Sequence, residues 1–397
     1  MAWYRQFAGN FVLALLLTAA PTTHADAIVD WNIIAGDAVT AVNMGTPPAN
    51  RVLAIAHTAA AAAIAAAPAD ADSAFVDTAI AAAFRRSLVQ LVPTRAAAVE
   101  DAFRLHVAQP DATAIALGER AANDELARHA GDDIALLDDF RPAAAAGEYV
   151  PTTTPAFPNW ARRTPWHLRS ADALRPPPPP ALTSDTWARD YEEIRALGAR
   201  DSRTRSAEQT AIGRFWEATL PPIYHGVARA IARQPGRTVA QNARMFARVT
   251  QAMDDTLIAV FDAKYHYRLW RPVTAIRNGD RDGNDATQRD ATWAPLIETP
   301  MHPEYPCAHC AVAAAVATVL KAEIGADSDV VLATNSSFAR GAERRWPDLD
   351  AFVREVSEAR IVSGVHYRFS TAAGRAIGEA VGKAVLAADP PRGEGKR

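Results

Sequence analysis

Three segments of the chain, far apart in sequence, concentrate the side chains that could do chemistry. The first is KYHYRLWRP, which contains Lys264 and Arg271, and the chain has no lysine before position 264. Seven residues apart, the two cations would lie on one face of a helix. The aromatic and aliphatic residues between them favour a buried helix over a solvated surface stripe. Buried cations need an anion, supplied by the protein or by a ligand.

The second segment is HPEYPCAHC, residues 302–310, which leads into the alanine-rich run AVAAAVATVLKA. Its prolines predict a tight turn that opens directly into a helix, so the backbone N–H groups of Ala308 and His309 would face an oxyanion at the helix start. His309 could exchange protons with that anion or its leaving group, or it could simply cap the helix. His302 could lean into the same pocket or lie in an exposed loop.

The third segment is ARIVSGVHYRFS, residues 359–370, in which Arg360 and His366 lie six residues apart among apolar neighbours. Taken alone, this pair is weak evidence, because arginine and histidine are often close together on helices. Taken with the other two segments, it completes a set of one lysine, two arginines and two histidines on three buried helices. That set predicts a pocket for a polyanion.

The rest of the chain has to position these groups, and its composition is that of a globular protein. It has 397 residues, of which 49% are apolar and 22% charged, and its net charge is −3. This balance excludes a disordered chain and offers no basic surface for nucleic acid. The length predicts two or three domain-sized units, or one large helical body with an appendage. A homo-oligomer is compatible with either arrangement.

Helical signals dominate along the chain. Residues 28–130 are rich in helix-favouring alanine and leucine, and Ser206–Gln209 and Thr238–Gln241 fit capping boxes that open apolar periodic runs. Further helices are predicted to end at Arg271 and to start near Pro306. No alternating strand pattern occurs. The sequence therefore predicts an all-α fold.

The sequence predicts four regions. Residues 1–25 are typical of a cleaved signal peptide, because the apolar run at 11–20 is much shorter than the ~20 residues needed to span a bilayer. A secreted or periplasmic protein without an integral membrane segment is therefore expected. Residues 26–140 are predicted to form an N-terminal helical region and the proline-rich residues 141–183 an ordered strap packed over helices. Residues 184–390 are predicted to form the helical domain that carries the three segments.

The order and spacing of the segments resemble a known signature. The three-part motif of the type 2 phosphatidic acid phosphatase and vanadium-dependent haloperoxidase superfamily is similar to three stretches of this chain: Lys264-x6-Arg271-Pro272, Pro306-x-x-His309 and Arg360-x5-His366. Residues 184–216, 270–277 and 299–306 look like the bacterial branch related to vanadium haloperoxidases. The resemblance implies a helical bundle of the haloperoxidase and acid phosphatase type, with an additional N-terminal helical region.

The resemblance also implies a role for each matched residue. The oxygens of bound vanadate or phosphate would be held by five residues: Lys264, Arg271, Cys307, Ala308 and Arg360. His309 would be the acid–base residue, with Lys264 also in the catalytic set. His366 would be the axial ligand of vanadium, or the nucleophile that attacks phosphate in the phosphatases. Because trigonal-bipyramidal vanadate mimics the transition state of phosphoryl transfer, both reactions need equatorial cations and an axial nitrogen.

The chain departs from the family pattern in several places. Cys307 and Ala308 stand where the pattern has serine and glycine, and a thiol donates a weaker hydrogen bond than a hydroxyl. Ala359 replaces a further serine. Ser370 replaces an aspartate, four residues after the axial histidine, that would orient and enrich the imidazole. Its loss predicts a less basic His366, which harms a nucleophile more directly than a ligand.

Four functions fit these observations, and the first is favoured. A vanadate-dependent haloperoxidase would oxidise a halide with hydrogen peroxide. Bromide or iodide would be favoured, because relatives that use them often carry histidine at the position of His302, whereas chloride-using relatives tend to carry an aromatic residue. An exported acid phosphatase would need no vanadate cofactor and would hydrolyse phosphate esters through a phosphohistidine at His366.

Two further functions rank lower. One is an oxyanion-binding protein without turnover, which the substituted positions favour. The other is a thiol oxidoreductase acting through Cys307 and Cys310, although the chain lacks the βαβ context that makes such a dithiol credible. The two cysteines could instead close a disulfide across the helix start or remain reduced and buried.

Overall fold

The computed structural model of the chain describes residues 26–132, 140–217, 221–324 and 329–388, and these are mostly helical. The helices before the proline-rich segment are α1 (Ala27–Ala41), α2 (Thr46–Ala65), α3 (Ser73–Leu91), α4 (Ala96–His106) and α5 (Ala112–Arg128). Those after it are α6 (Asp185–Leu197), α7 (Ala207–Phe215), α8 (Pro221–Ala232), α9 (Val239–Tyr267), α10 (Pro272–Arg277), α11 (Ala308–Lys321), α12 (Leu349–Val362) and α13 (Arg368–Ala388). The predicted all-α class is confirmed. The residues predicted to be a signal peptide, 1–25, lie outside the described part of the chain.

Helix α9 is the central element. It begins at a capping box in which Thr238 and Gln241 bond each other's backbone N–H groups, as the sequence predicted, and α7 begins at the same motif at Ser206–Gln209. Most of its residues are buried, and it packs against α2, α11 and α13. Because the helix is buried on nearly all sides, its polar residues included, α9 carries Lys264 near its C-terminal end into the core.

Helices α11 and α13 cross at very short distance. A Cβ atom at Gly378 would lie 1.9 Å from the carbonyl oxygen of Ala311, and one at Gly374 would lie 2.3 Å from that of Cys307. Only glycine permits this approach of one backbone to another. The crossing therefore fixes the first turn of α11 against the first turns of α13.

A two-stranded hairpin is the element that sequence analysis missed. Strands β1 (Leu332–Ser336) and β2 (Ala342–Trp346) pair antiparallel, and Gly341 turns the chain at a φ of +78°. The side chains that β1 buries are Leu332, Thr334 and Ser336. Because two of these are small and polar, the strand lacks the apolar alternation by which such elements are recognised.

The proline-rich segment lies against α9. Trp160 is 3% exposed, and Arg163 stacks over its ring at 3.7 Å. Trp166 donates its backbone N–H to Asp255 at 2.7 Å and its indole N–H to Asp254 at 2.8 Å. The tryptophans thus attach an otherwise irregular segment to the central helix. Among the described residues, no helix is both long enough and apolar enough to cross a membrane.

Candidate active site

Lys264 and Arg271 reach the same pocket from two different helices. The prediction of one helix running to Arg271 is wrong: α9 ends at Tyr267, and Arg268 follows in the left-handed conformation at a φ of +52°. Pro272 is the reason, because proline cannot continue a helix and instead starts α10, for which Arg271 is the N-terminal flanking residue.

Both cations hold the loop that carries the second motif. Lys264 donates to the carbonyl oxygens of Pro303 and Glu304 at 2.9 and 2.7 Å. Arg271 donates to the carbonyl oxygen of His302 at 2.8 Å. The two cations are 0% and 1% exposed, and none of these partners carries a formal charge. Both cations are thus buried with carbonyl oxygens, and not carboxylates, as these hydrogen-bond partners.

The end of α12 brings Arg360 and His366 together. The carbonyl oxygen of Arg360 accepts hydrogen bonds from the backbone N–H groups of Val365 and His366, both at 3.3 Å. Gly364 makes the turn at a φ of +79°, and a Cβ atom there would lie 2.5 Å from the carbonyl oxygen of Gly198. The position thus needs glycine for its conformation and for its packing. The turn returns His366 to the side of the helix that carries Arg360.

The guanidinium group of Arg360 has donor nitrogens that are buried without a hydrogen-bond partner among the described residues. Its Nη1 donates to the carbonyl oxygen of Trp216, whereas Nε and Nη2 have no hydrogen-bond partner among the described residues. The residue is 0% exposed. Since buried donors are almost always satisfied, these two nitrogens require an acceptor that the described residues do not supply. An oxyanion with several acceptor oxygens, such as vanadate or phosphate, fits this requirement.

His366 is held at both ring nitrogens. Its Nδ1 lies 2.8 Å from Oε1 of Glu304, and its Nε2 lies 3.4 Å from Nη1 of Arg271. The same Glu304 oxygen accepts the backbone N–H of Tyr367 at 3.0 Å. Sequence analysis did not single out Glu304, because 62 residues separate it from His366. The only available signal was its place in a loop already predicted to face the pocket.

The pKa values report a strongly positive site. Burial lowers the pKa of Lys264 well below its usual range, and the charge of Arg271 lowers it further. Burial and the cations lower the pKa values of His309 and His366 in the same way, which disfavours the protonated form of both imidazoles. Burial raises the pKa of Glu304 to about 7, opposed by the nearby Lys264 and Arg271. A bound anion would relieve the repulsion among the cations.

The start of α11 forms the floor of the pocket. Cys307 precedes the helix, is joined to Cys310 by a disulfide, and accepts the backbone N–H of Cys310 on its sulfur at 3.2 Å. The predicted hydrogen bond from the Cys307 thiol to the oxyanion is therefore excluded, because a disulfide has no S–H group. Ala308 and His309 line the cavity, and the first turn of a helix offers backbone N–H groups that have no partner inside the helix.

A cavity of about 500 Å³ leads to these groups. Its polar end is formed by His302, His309 and His366, and its walls are mainly apolar: Met44, Phe157, Leu257, Phe261, Pro300 and Phe338. His302 is a wall residue and not an exposed loop residue, since its ring lies 5.1 Å from that of Phe261. Its Nδ1 accepts a hydrogen bond from Nη2 of Arg271 at 3.0 Å.

Residues 244–389, which contain all three motifs, match the family described as the VCPO second helical-bundle domain. The resemblance to the vanadium haloperoxidases is confirmed. Vanadium chloroperoxidase of Curvularia inaequalis is 30% identical over 172 residues, and the match covers 35% of this chain and 28% of that protein. The match thus spans little more than a quarter of the length of that haloperoxidase.

Two solved bacterial structures show how far the fold extends. The first bacterial vanadium-dependent iodoperoxidase superposes with a TM-score of 0.75 at 22% identity, over 91% of this chain and 95% of that one. A bacterial vanadium-dependent chloroperoxidase in its holo form superposes with a TM-score of 0.70 at 19% identity, over 85% and 89%. At these identities the comparison establishes the haloperoxidase fold, which includes the N-terminal helices as well as the motif-bearing ones.

Proposed function

We propose that the chain is a vanadate-dependent haloperoxidase that oxidises a halide with hydrogen peroxide. The observation that carries this proposal is the pair of donor nitrogens on Arg360, Nε and Nη2, which have no partner among the described residues and lie buried near Lys264, Arg271 and His366. An oxyanion held there would be bound by the cationic side chains of Lys264, Arg271 and Arg360 and would meet the imidazole of His366. The similarity to vanadium haloperoxidases favours vanadate as that oxyanion.

Each residue has a distinct task in this proposal. Lys264, Arg271 and Arg360 would hold the oxygens, together with the backbone N–H of Ala308, and Nε2 of His366 would be the protein ligand. When bound, vanadate supplies a centre that activates peroxide for oxygen transfer. The net reaction converts halide, hydrogen peroxide and one proton into hypohalous acid and water. His309 lies on the cavity at the helix start, where its imidazole can carry that proton.

The cavity walls also contribute to the chemistry. The rings of Phe157 and Phe261 and the side chain of Leu257 make much of the cavity wall apolar. An apolar path limits water near the oxidised halogen and strengthens the electrostatic interactions of the buried cations.

We further propose that bromide or iodide is used in preference to chloride. His302 places a titratable polar ring on the cavity wall, bonded to Arg271, where an apolar aromatic residue would make the site drier. A more polar surrounding lowers the oxidising strength of the bound centre toward chloride. We also propose that the protein is exported, because the disulfide between Cys307 and Cys310 is favoured in an oxidising compartment.

The test compares two activities of one preparation. The purified protein, loaded with orthovanadate, should consume peroxide in a bromide-dependent way, and His366→Ala should remove that activity. The same protein without vanadate should hydrolyse a phosphate monoester slowly at most. Efficient ester hydrolysis that vanadate inhibits, without bromide-dependent peroxide consumption, would overturn the proposal in favour of a phosphatase.

A further inference from the structure

The family pattern places an aspartate four residues after the axial histidine, and this chain has Ser370 there. We infer that Glu304, from a different segment, takes over this task and is the positioning residue that fixes the tautomer and orientation of His366. This inference rests on the proposed function, since it concerns the group that would bind vanadium.

The tautomer of His366 follows from its two contacts. Guanidinium groups only donate hydrogen bonds, so the nitrogen that faces Arg271, Nε2 at 3.4 Å, must carry the lone pair. A neutral imidazole with a lone pair on Nε2 carries its proton on Nδ1. That proton is donated to Oε1 of Glu304 at 2.8 Å. Both contacts therefore select the form in which Nε2, at the cavity, is free to bind a ligand.

Glu304 is itself rigidly held. Its side chain is 0% exposed, and Oε1 also accepts the backbone N–H of Tyr367 at 3.0 Å. Its backbone N–H donates to the carbonyl oxygen of Leu269 at 2.9 Å, and its carbonyl oxygen accepts from Lys264 at 2.7 Å. One residue thus orients the imidazole of His366 through its side chain and the ammonium group of Lys264 through its backbone. A carboxylate so fixed can hold an imidazole within the narrow angle that a metal–nitrogen bond requires.

Ser370 lies near the same carboxyl group. It is 0% exposed, and its hydroxyl lies close enough to Glu304 to lower the pKa of that carboxyl group. An aspartate at position 370 and a glutamate at position 304 would therefore approach the same region of the imidazole. The carboxylate has moved from one segment to another while the contact with the histidine is kept.

The experiment measures two anions on the same variants. Orthovanadate and inorganic phosphate are titrated by calorimetry into the purified protein, Glu304→Gln, Glu304→Asp and the double variant Glu304→Gln/Ser370→Asp. Phosphate uses the cations but needs no bond to the axial nitrogen, whereas vanadate uses both. Glu304→Gln replaces the charged acceptor behind His366 with a neutral one and should weaken vanadate binding by about tenfold, the lower end of the usual cost of altering a partner behind a metal-bound histidine. Phosphate binding should change by less than about threefold.

Two variants keep the result interpretable. Glu304→Asp draws the carboxylate back by one methylene and should weaken vanadate binding in the same selective way, even if Glu304→Gln folds poorly. The double variant should recover at least part of the lost vanadate affinity. Glu217→Gln is the matched control, because Glu217 also lines the cavity but makes no contact with His366. This substitution should change the affinities for vanadate and phosphate by the same factor.

The outcomes separate this inference from the proposed function. An unmodified protein that binds phosphate but no vanadate would overturn the proposed function. Vanadate affinity that is unchanged in Glu304→Gln, with normal binding by the unmodified protein, would overturn only the role of Glu304. Equal loss of both anions in Glu304→Gln and Glu304→Asp would also overturn it, because that pattern indicates general damage to the pocket.

Discussion

Arg51 and Arg360 are both buried arginines, yet their surroundings differ in charge. Arg51, beneath the proline-rich segment, pairs with Asp132 and, at 2.6 Å, with Asp254. Arg360 has no ion pair with any described residue, and the same holds for Lys264 and Arg271. The first site has cation and carboxylates in contact, as in a structural cluster. At the second site the cations bond carbonyl oxygens instead, and the nearby carboxyl group of Glu304 bonds His366.

This difference predicts opposite consequences for the two arginines. Arg51→Ala should lower the free energy of unfolding by about 3–5 kcal/mol, because it leaves the buried carboxylate of Asp254 unpaired. Denaturant titration measures the loss. The double variant Arg51→Ala/Asp254→Asn should lose less than the sum of the single variants. A loss below 1 kcal/mol for Arg51→Ala would mean that this cluster contributes no more than a surface pair.

Arg360→Ala should instead act on binding. Removing one partner of a buried charge pair costs about 2–5 kcal/mol, so vanadate affinity should fall by at least about thirtyfold. The free energy of unfolding of the anion-free protein should stay unchanged or rise, because the variant lacks one of three mutually repelling cations. Calorimetric titration and denaturant titration of the same preparation test both parts. Strong destabilisation with unchanged vanadate affinity would reverse the assignment of the two sites.

The pocket should also give the vanadate-free protein a pH dependence that the Arg51 cluster does not explain. Burial raises the pKa of Glu304 to about 7, from an ordinary value near 4.5. A raised carboxyl pKa gives stability that is present below the unfolded value and lost as pH rises through the folded one. Between pH 5 and pH 8 the protein should therefore lose about 2–3 kcal/mol relative to Glu304→Gln.

Glutamine suits this comparison, because its oxygen can accept the same two hydrogen bonds and Oε2 of Glu304 has no partner among the described residues. Denaturant titration of both proteins at several pH values provides the measurement. Parallel stability curves would show that the pKa of Glu304 is not shifted by folding.

The residues that sequence analysis predicted best are those fixed by local rules. The capping boxes at Ser206 and Thr238 each depend on a partner three residues away, and both are present. The cations and histidines of the three motifs also meet in one pocket. What could not be predicted depends on long-range packing. Glu304 reaches His366 only because Lys264 and Arg271 hold the loop that carries it.

Two predictions from the sequence were wrong, and both errors have local causes. The predicted single face of Lys264 and Arg271 assumed a continuous helix, although Pro272 favours an earlier end. Cys307 was assigned as a donor while its redox state was open, and the disulfide removes that donor. In both cases the residue types were identified correctly, and the error lay in the backbone or bonding state assumed around them.

The smallest predicted effect concerns His302, a residue of the cavity wall whose side chain is hydrogen-bonded to Arg271. Its Nδ1 accepts a hydrogen bond from Arg271 at 3.0 Å, so His302→Phe would leave one more donor of that cation unpartnered and make the wall less polar. If the protein is a haloperoxidase, the substitution should raise the ratio of chloride to bromide turnover by about tenfold, equal to about 1.4 kcal/mol of transition-state energy. Steady-state rates with each halide measure the ratio, and Phe338→Leu, a conservative change of an apolar residue that also lines the cavity, is the control. An unchanged ratio in His302→Phe, or efficient chlorination by the unmodified protein, would remove His302 from halide selection and leave it as a structural partner of Arg271.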